Sequence, residues 1–567
     1  MYYLSVMMRY NEITDAAGGP FVKMAYAAKY AVHLRRNIMK KITALLLALV
    51  LCVGLLCACT PSEEPPVSTN SPSTPTNTPE DPGNSEPVME DPAEITVILW
   101  ANGAPPTNEA LALVNEKINE ITVPEINVIV DLQIWDVGTY IGTAATAVGA
   151  GDDIDLMCTF PAAAPHFSNM SAQNMLLPLN DLLEEYAPGI LDLIPEAWWA
   201  ATSLNGEILG VPIYANKAVN YGVTVVKEWF DELGLKVEDI KTMDDLHAML
   251  KAFQAKHPDK IAFSGDNLTL DFTYPGFDFI NGSYFDQLGD ASGVAAIVPF
   301  KADGTTDYKV VSRYETEGFN TMRKTLQQWY SEGLIDKDTF SYNGNGFPMT
   351  VNADVFAGMS VATPTQKANR GTAFLREGME IELMSGTVST AAVTQFTWAL
   401  PTSCDEEAAA VKFMNMLYTN ADIYNLICFG VEGVHYELDA NGQMVMPEGM
   451  SPESSPYYPN CFNFVGNTIL TNTWAGTDPE LPQKEDAAIK NSVASPLLGF
   501  TFDTSAVADQ YARIGTIAHD EYGPFIFTGA ASDAQYEEFI GKLYENGLQD
   551  VIDEAQRQID AWVAANK

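Results

Sequence analysis

Positive charge is what this chain has least of. Only 31 of its 567 residues are Lys or Arg, against 74 Asp and Glu, for a formal net charge of −43. A surface that negative repels nucleic acid and anionic lipid headgroups, which excludes both as partners. It does not demand a cationic ligand, because one cleft can differ from the mean surface. Histidine is scarce, and no HExxH pair, Walker loop or GxSxG elbow occurs. Zinc hydrolysis, phosphate-loop chemistry and a serine nucleophile therefore have no support in the sequence. Of seven cysteines, Cys52, Cys57 and Cys59 crowd one N-terminal stretch. Cys158, Cys404, Cys428 and Cys461 form no CxxC pair and no metal-like spacing with His, so they read as buried thiols, with a Cys428–Cys461 disulfide left open. No catalytic residue, metal ligand or cofactor is expected.

What is present starts at Met39. Met39-Lys40-Lys41 is cationic, Ile42 to Leu56 is apolar except for Thr43, and Leu56-Cys57-Ala58-Cys59 closes the run. Charge, short apolar core and small-residue exit are the order of a secretory signal peptide, and the run is short of the ~20 residues that span a bilayer. Leu-x-Ala-Cys is similar to a bacterial lipobox, which would make Cys59 the lipidated first residue of the mature protein. Cleavage there removes seven bases and two acids and takes the net charge from −43 to about −48. Pro61 to Asp91 is crowded with Pro, Ser, Thr, Asn and Glu and cannot bury apolar surface, so 59–93 reads as a disordered tether. The expected location is the extracytoplasmic face of the cell membrane, held by lipid on Cys59 alone. Met1 to Ile38 precede a complete signal and read as untranslated, the alternative being a long cytosolic n-region.

The folded part opens near Glu94. Ile95 to Trp100 is an apolar, β-branched strand, broken by Asn102-Gly103-Ala104-Pro105-Pro106. Thr107 then caps a helix with Leu111, Val114, Ile118 and Ile121 on one face, stopped by Pro124. Ile126 to Trp135 and Ile154 to Thr159 read as further strands, with Asp152, Asp153 and Asp155 at a turn and strand start. Strand and helix alternate, which predicts an α/β parallel sheet with helices on both faces. After an Asn205-Gly206 turn a second α/β unit begins. Thr242 and Asp245 start a helix that buries Leu246, Met249, Leu250 and Phe253. Ser403 with Glu406 has the capping-box pattern. The closing helices are expected to bury Ile552, Ala555, Ile559 and Trp562. Asp439-Ala-Asn441-Gly442 lacks the EF-hand spacing and reads as a hairpin turn.

Six stretches carry a family resemblance: Ile95 to Asn108 (ITVILWANGAPPTN), Asp155 to Pro161, Ala172 to Leu179, Gly210 to Lys217 (GVPIYANK), Gly430 to Glu437 (GVEGVHYE) and Leu498 to Asp503. In this order, behind a lipobox and tether, the chain resembles the extracellular solute-binding proteins of the family-1, sugar-binding type, in their long lipoprotein subgroup. The resemblance implies two α/β lobes, each a doubly wound sheet, joined by hinge strands around a ligand cleft. Lobe 1 is expected at 94–220 plus 396–467 and lobe 2 at 221–395 plus 468–567. The crossings are expected at Val219 to Val226, Val393 to Leu400 and Phe464 to Trp474.

Aromatic residues are 10% of the chain, and flat rings with Asn or Gln suit the C–H faces and hydroxyl rims of sugars. Trp229, Trp329 and Trp562 sit on helical faces and read as core. Trp100, Trp398 and Trp474 lie at strand ends or loops, where a doubly wound sheet presents its ligands, although strand-end Trp also seals hinges. With Tyr214 and Asn216 beside the first crossing, and Asn102, they make the expected ligand-binding set. The function expected is a substrate-binding lipoprotein of an ABC importer, taking a carbohydrate, an oligosaccharide by preference, to the permease transmembrane subunits without covalent chemistry. A receptor for a peptide or other non-sugar solute, and a secreted glycan-degrading enzyme, are the alternatives.

Overall fold

A computed structural model describes residues 91–218, 221–264, 283–288, 296–337, 352–365, 375–384 and 386–567. The signal stretch, Cys59 and nearly all of the tether lie outside them. Strand β1 (Ala93–Ala101) buries Ile95, Val97, Ile98, Leu99 and Trp100. Each such side chain contributes roughly 1.5–3 kcal/mol on leaving water, which explains why this strand is central. Helix α1 (Asn108–Ile126) starts where Thr107 accepts the Ala110 N–H at 3.3 Å. It buries Ala110, Val114, Ile118 and Thr122, with Leu111 and Ile121 on the flanks. Pro124 does not stop it. The ring removes one donor, yet the Asn127 N–H still reaches the Val123 carbonyl, and Asn127 ends the helix in the left-handed conformation at φ 56°.

Strand β2 (Val128–Asp136) is followed by helix α2 (Val137–Ala150), strand β3 (Leu156–Cys158) and strand β4 (Val211–Pro212). Between β3 and β4 the Asn205-Gly206 turn joins Ser203–Leu204 to Glu207–Ile208, both turn residues at positive φ (54° and 87°) as a tight hairpin requires. Strand β5 (Tyr221–Val226) opens the second sheet. Helix α3 (Met243–Lys256) has the capping box of Thr242 and Asp245 and buries the four predicted residues. Strands β6 (Ile261–Phe263), β7 (Val355–Val361) and β8 (Gly378–Met384) complete that sheet. The chain then returns to the first sheet as β9 (Thr397–Ala399).

The first sheet runs β2-β1-β3-β9-β4. β1 pairs with β2 and β3 in parallel, and β9 is antiparallel to both its neighbours. The second runs β8-β5-β7-β6, with β5 antiparallel to β7 and β8. Neither sheet is purely parallel as the alternation predicted. β5 and β9 arrive from the other sheet rather than over a covering helix, so the right-handed crossover rule does not set their direction.

Two hydrophobic cores result. One holds the first sheet with helices α4 (Glu407–Thr419) and α5 (Ala421–Phe429). The other holds the second sheet with Trp229, Trp329 and the C-terminal helices. The chain passes between them after Ala218, again between Ile381 and Val388, and again at Leu497 and Leu498. The second passage therefore precedes Val393 to Leu400. That stretch is instead a turn of helix over Thr390–Thr394, followed by β9 deep in the first sheet. Phe464 to Trp474 packs on the first core, so the third passage lies later than predicted.

Two local expectations fail for clear reasons. Ser403 does not cap α4, because its hydroxyl donates to the Ile154 carbonyl at 2.9 Å. After helix α6 (Leu481–Lys490), the last helix, α7 (Leu548–Asn566), buries Leu548, Val551, Ala555 and Ile559. Trp562 projects past the core end and lies half-buried, 6.0 Å from Phe500, with the Lys567 ammonium over its ring.

Candidate functional site

Helix α6 (Leu481–Lys490) stands between the two cores and is tied to both. Its Asp486 accepts the Tyr214 hydroxyl at 2.7 Å from the first. Its Glu485 Oε1 accepts the Thr365 N–H at 2.7 Å and the Thr365 hydroxyl at 2.5 Å, from the segment that follows β7 of the second. Beside it opens a cavity of about 420 Å³. The first body supplies Asn216, Phe429, Phe462, Asn463, Asn472 and Trp474. Thr363 and Thr365 come from the segment that follows β7, and Leu481, Pro482 and Glu485 from α6. Among the described residues, six threonines and three asparagines line the cavity beside four aromatic rings, the mixture that suits many hydroxyls and flat C–H faces.

The ring wall is held in place. Trp474 meets Phe429 edge-on at 6.0 Å, and Phe429 stacks on Phe462 at 6.3 Å. The Gln443 amide donates to the Trp474 carbonyl, the Thr473 hydroxyl and the Thr477 carbonyl, which fixes the loop that carries Trp474. Gln443 follows the hairpin turn predicted at Asp439 to Gly442, whose arms Glu437–Leu438 and Met444–Val445 pair antiparallel.

Of the six predicted ligand residues, the cavity collects Asn216 and Trp474. Trp100 and Trp398 are corrected to core. Trp398 is 0% exposed, and its indole N–H donates to the Phe464 carbonyl at 3.1 Å. Trp100 is 1% exposed and stacks on Phe464 with centroids 4.1 Å apart. Asn102 is exposed, and its side chain accepts the Trp100 indole N–H at 3.2 Å. Tyr214 is buried. Burial, then its hydrogen bond to Asp486, holds its hydroxyl well above the usual phenol range. Sequence reasoning missed Glu485 and Thr365, which no local motif marks. Phe462-Asn463 and Asn472-Thr473-Trp474 do carry a signal, since aromatic and amide side chains alternate in a segment without regular structure.

Other chemical groups are accounted for by structure. All four described cysteines are free and buried, so Cys428 and Cys461 are not bridged. Among the described residues, Asp153, Asp155 and Asp405 bring carboxylates within 4.8 Å of one another. Asp155 spends its oxygens on the Thr96 and Asp405 N–H groups, at 2.8 and 3.3 Å, which makes it a strand anchor. No described helix is long and apolar enough to cross a membrane.

A two-core α/β fold with a polar, ring-lined cavity between the cores defines a solute receptor. Residues 104–423 match the bacterial extracellular solute-binding proteins, and the chain belongs to that family. Residues 496–564 match a domain of unknown function, DUF3502. A carbohydrate ABC transporter substrate-binding protein of Streptococcus pneumoniae is 23% identical over 492 residues, 86% of this chain and 94% of that one. The polygalacturonan/rhamnogalacturonan-binding protein YtcQ of Bacillus subtilis is 22% identical over 62% of this chain and 70% of its own. Among solved structures, the N-glycan transport solute-binding protein NgtS of S. pneumoniae superposes with a TM-score of 0.66 at 20% identity, over 84% of this chain and all of that one.

Proposed function

We propose that this protein is the surface receptor of an ABC importer, captures an oligosaccharide between its two bodies and delivers it to the permease unchanged. The observation that carries this reading is the cavity itself. The first body supplies most of its lining, α6 and the two threonines beyond β7 close it, and its threonines, asparagines and rings match a sugar better than a peptide, whose termini and side chains call for paired charges. The relatives support it, since the S. pneumoniae protein is named for carbohydrate transport and NgtS for N-glycans. Asn216 and Trp474 are the ligand contacts kept from the sequence reading. Capture requires no bond to be made or broken, so purified protein should return its glycan intact.

The experiment is a thermal-shift screen of oligosaccharides and peptides, followed by chromatography of the recovered ligand. A ligand that binds only the native state raises the melting temperature. A shift with peptides and none with sugars would replace this reading by its rival, and shortened glycan in the recovered pool would point to an enzyme. Lipid on Cys59 is the proposed anchor, since two acyl chains hold a protein where one is marginal. Cys59→Ala should leave the protein in the medium, and a mature N-terminus elsewhere without lipid would remove the claim.

A further inference from the structure

Four consecutive residues, Thr471 to Trp474, line the cavity, yet they belong to no helix or strand. A segment of that kind, left to itself, loses conformational entropy when a ligand orders it, and affinity falls accordingly. Here it is gripped at both ends. At its start stands Asn425 of α5, whose Nδ2 donates to the Leu470 carbonyl at 3.0 Å and whose Oδ1 accepts the Asn472 N–H at 2.8 Å. At its end stands the hairpin arm Met444–Val445, with Gln443 just before it. The Gln443 amide reaches Thr473, Trp474 and Thr477. The Met444 N–H donates to the Thr473 carbonyl, and the Met444 carbonyl accepts the Ala475 N–H, both at 2.8 Å. Asn425, Gln443 and Met444 do not line the cavity, so they hold the segment from outside it.

One stretch of chain carries both grips. α5 ends at Phe429, and the motif from Gly430 to Glu437 turns the chain from that helix into the first hairpin arm. Gly430 has φ 83° and lies so close to the His435 ring that a Cβ would collide with it. His435 Nδ1 in turn accepts the Val431 N–H at 2.9 Å. The hairpin turn is knitted by the Asp439 carboxylate, which accepts the Asn441 and Gln443 N–H groups at 2.8 and 2.9 Å. The motif is thus an elbow that brings Asn425 and Gln443 to the two ends of one recognition segment.

We propose that Asn425 and Gln443 are positioning residues for capture: they hold Thr471 to Trp474 in the binding form before ligand arrives, so side chains outside the cavity set part of its affinity. The proposal deepens the carbohydrate reading and rests on it. A site whose binding form is only fractionally populated loses apparent affinity by that fraction. The loss falls on association, because the bound form itself is unchanged.

The test uses Gln443→Met, which keeps the stem and removes the amide, and Asn425→Asp, which keeps the acceptor for Asn472 and removes the donor to Leu470. Melting curves establish that each is folded, and either variant alone decides if the other is not. The probes are a panel of neutral and acidic oligosaccharides with Man5GlcNAc among them, and the tightest binder goes into calorimetry and stopped-flow mixing. Each variant should bind it about tenfold more weakly, with the change in the association rate, as when the binding form falls to about a tenth of the population. In a Trp474→Ala background the effect of Gln443→Met should shrink below about twofold, the non-additivity expected of a residue that acts through its neighbour. Without ligand, hydrogen exchange at the Ala475 N–H should be faster in Gln443→Met than in wild type. Unchanged affinity, a loss confined to dissociation, or a full loss kept in the Trp474→Ala background would overturn this inference and leave the carbohydrate reading standing. A panel without a binder would remove the carbohydrate reading, and the exchange rate at Ala475 would then decide this inference alone, an unchanged rate overturning it.

Discussion

At the residue scale, two tryptophans with the same sequence credentials part company. Trp398 and Trp474 were both read at a strand end or loop, and both were expected to face ligand. β9 lies between β3 and β4, so both its edges are covered and Trp398 has no exit to solvent. Trp474 sits on a loop fastened by Gln443 at the cavity rim. Trp398→Ala should therefore lower stability by about 3–5 kcal/mol, as truncation of a core Trp does. Trp474→Ala should leave the melting curve nearly unchanged and weaken ligand by about 2 kcal/mol, roughly thirtyfold. Calorimetry and melting on both would decide, and a reversed pattern would return Trp398 to the site. Lys217 gives a pH signature of its own. Burial pushes its ammonium from an ordinary 10.5 down to about 7, partly opposed by Cys158. The unfolded chain keeps that proton up to its ordinary value, so between pH 7 and 10.5 the unfolded state binds more protons and this residue makes stability rise with pH. Lys217→Met should flatten that rise in denaturant titrations at pH 7, 8 and 9. An identical slope in the variant would assign the rise to other groups.

Elements were legible where the periodic pattern and the cap agreed. Helix α3 shows both, and its start at Thr242 and Asp245 and its buried face stand as read, the start proving to be a capping box. Where a side chain has a distant suitor, local reading fails, as with Ser403, which the Ile154 carbonyl draws away from its helix across 249 positions of chain. The same holds for α1, whose Asn115 and Asn119 each exchange two hydrogen bonds with the backbone of β2, at Leu132 and Val130. β2 is an edge strand, and these two side chains occupy groups that an exposed edge would offer to another chain. Nothing in the sequence pattern announces that role, because asparagine on a helix more often reads as solvent-facing. The site shows the same limit. Asn216 and Trp474 could be found beside an expected crossing, whereas Glu485 matters only because α6 spans two cores that are far apart in sequence. Tyr214 tests that element. Tyr214→Phe removes one hydrogen bond to a half-exposed carboxylate, so it should cost about 1 kcal/mol in unfolding free energy. A much larger loss would mean that α6 depends on this tie to stay in place.

For the whole molecule, alternation of strand and helix was enough to predict an α/β fold, and the family resemblance implied two bodies; the passages between them had to come from the structure, since extended runs look alike whether they cross a hinge or enter a sheet. Among the described residues the chain crosses between its cores three times, and two of those passages run side by side where Thr387–Val388 pairs with Val493–Ala494. Few strands join the bodies, and the cavity walls are shared between them, an arrangement that suits hinge closure. A ligand shifts such an equilibrium only by its differential affinity for the two forms, and moving it from 1:99 to 99:1 takes about 5.5 kcal/mol of preference. Contacts confined to the Trp474 wall would bind equally well in an open form and supply none of it. Contacts that also reach Thr365, which the second body presents to Glu485 of α6, are the ones that can supply the difference. Solution scattering should therefore give a smaller radius of gyration at saturating ligand than without it. Thr365→Val, which keeps the N–H but removes the hydroxyl from Glu485, should weaken ligand and diminish the contraction. An unchanged radius in the wild type at saturation would establish a fixed cleft and remove closure from the mechanism.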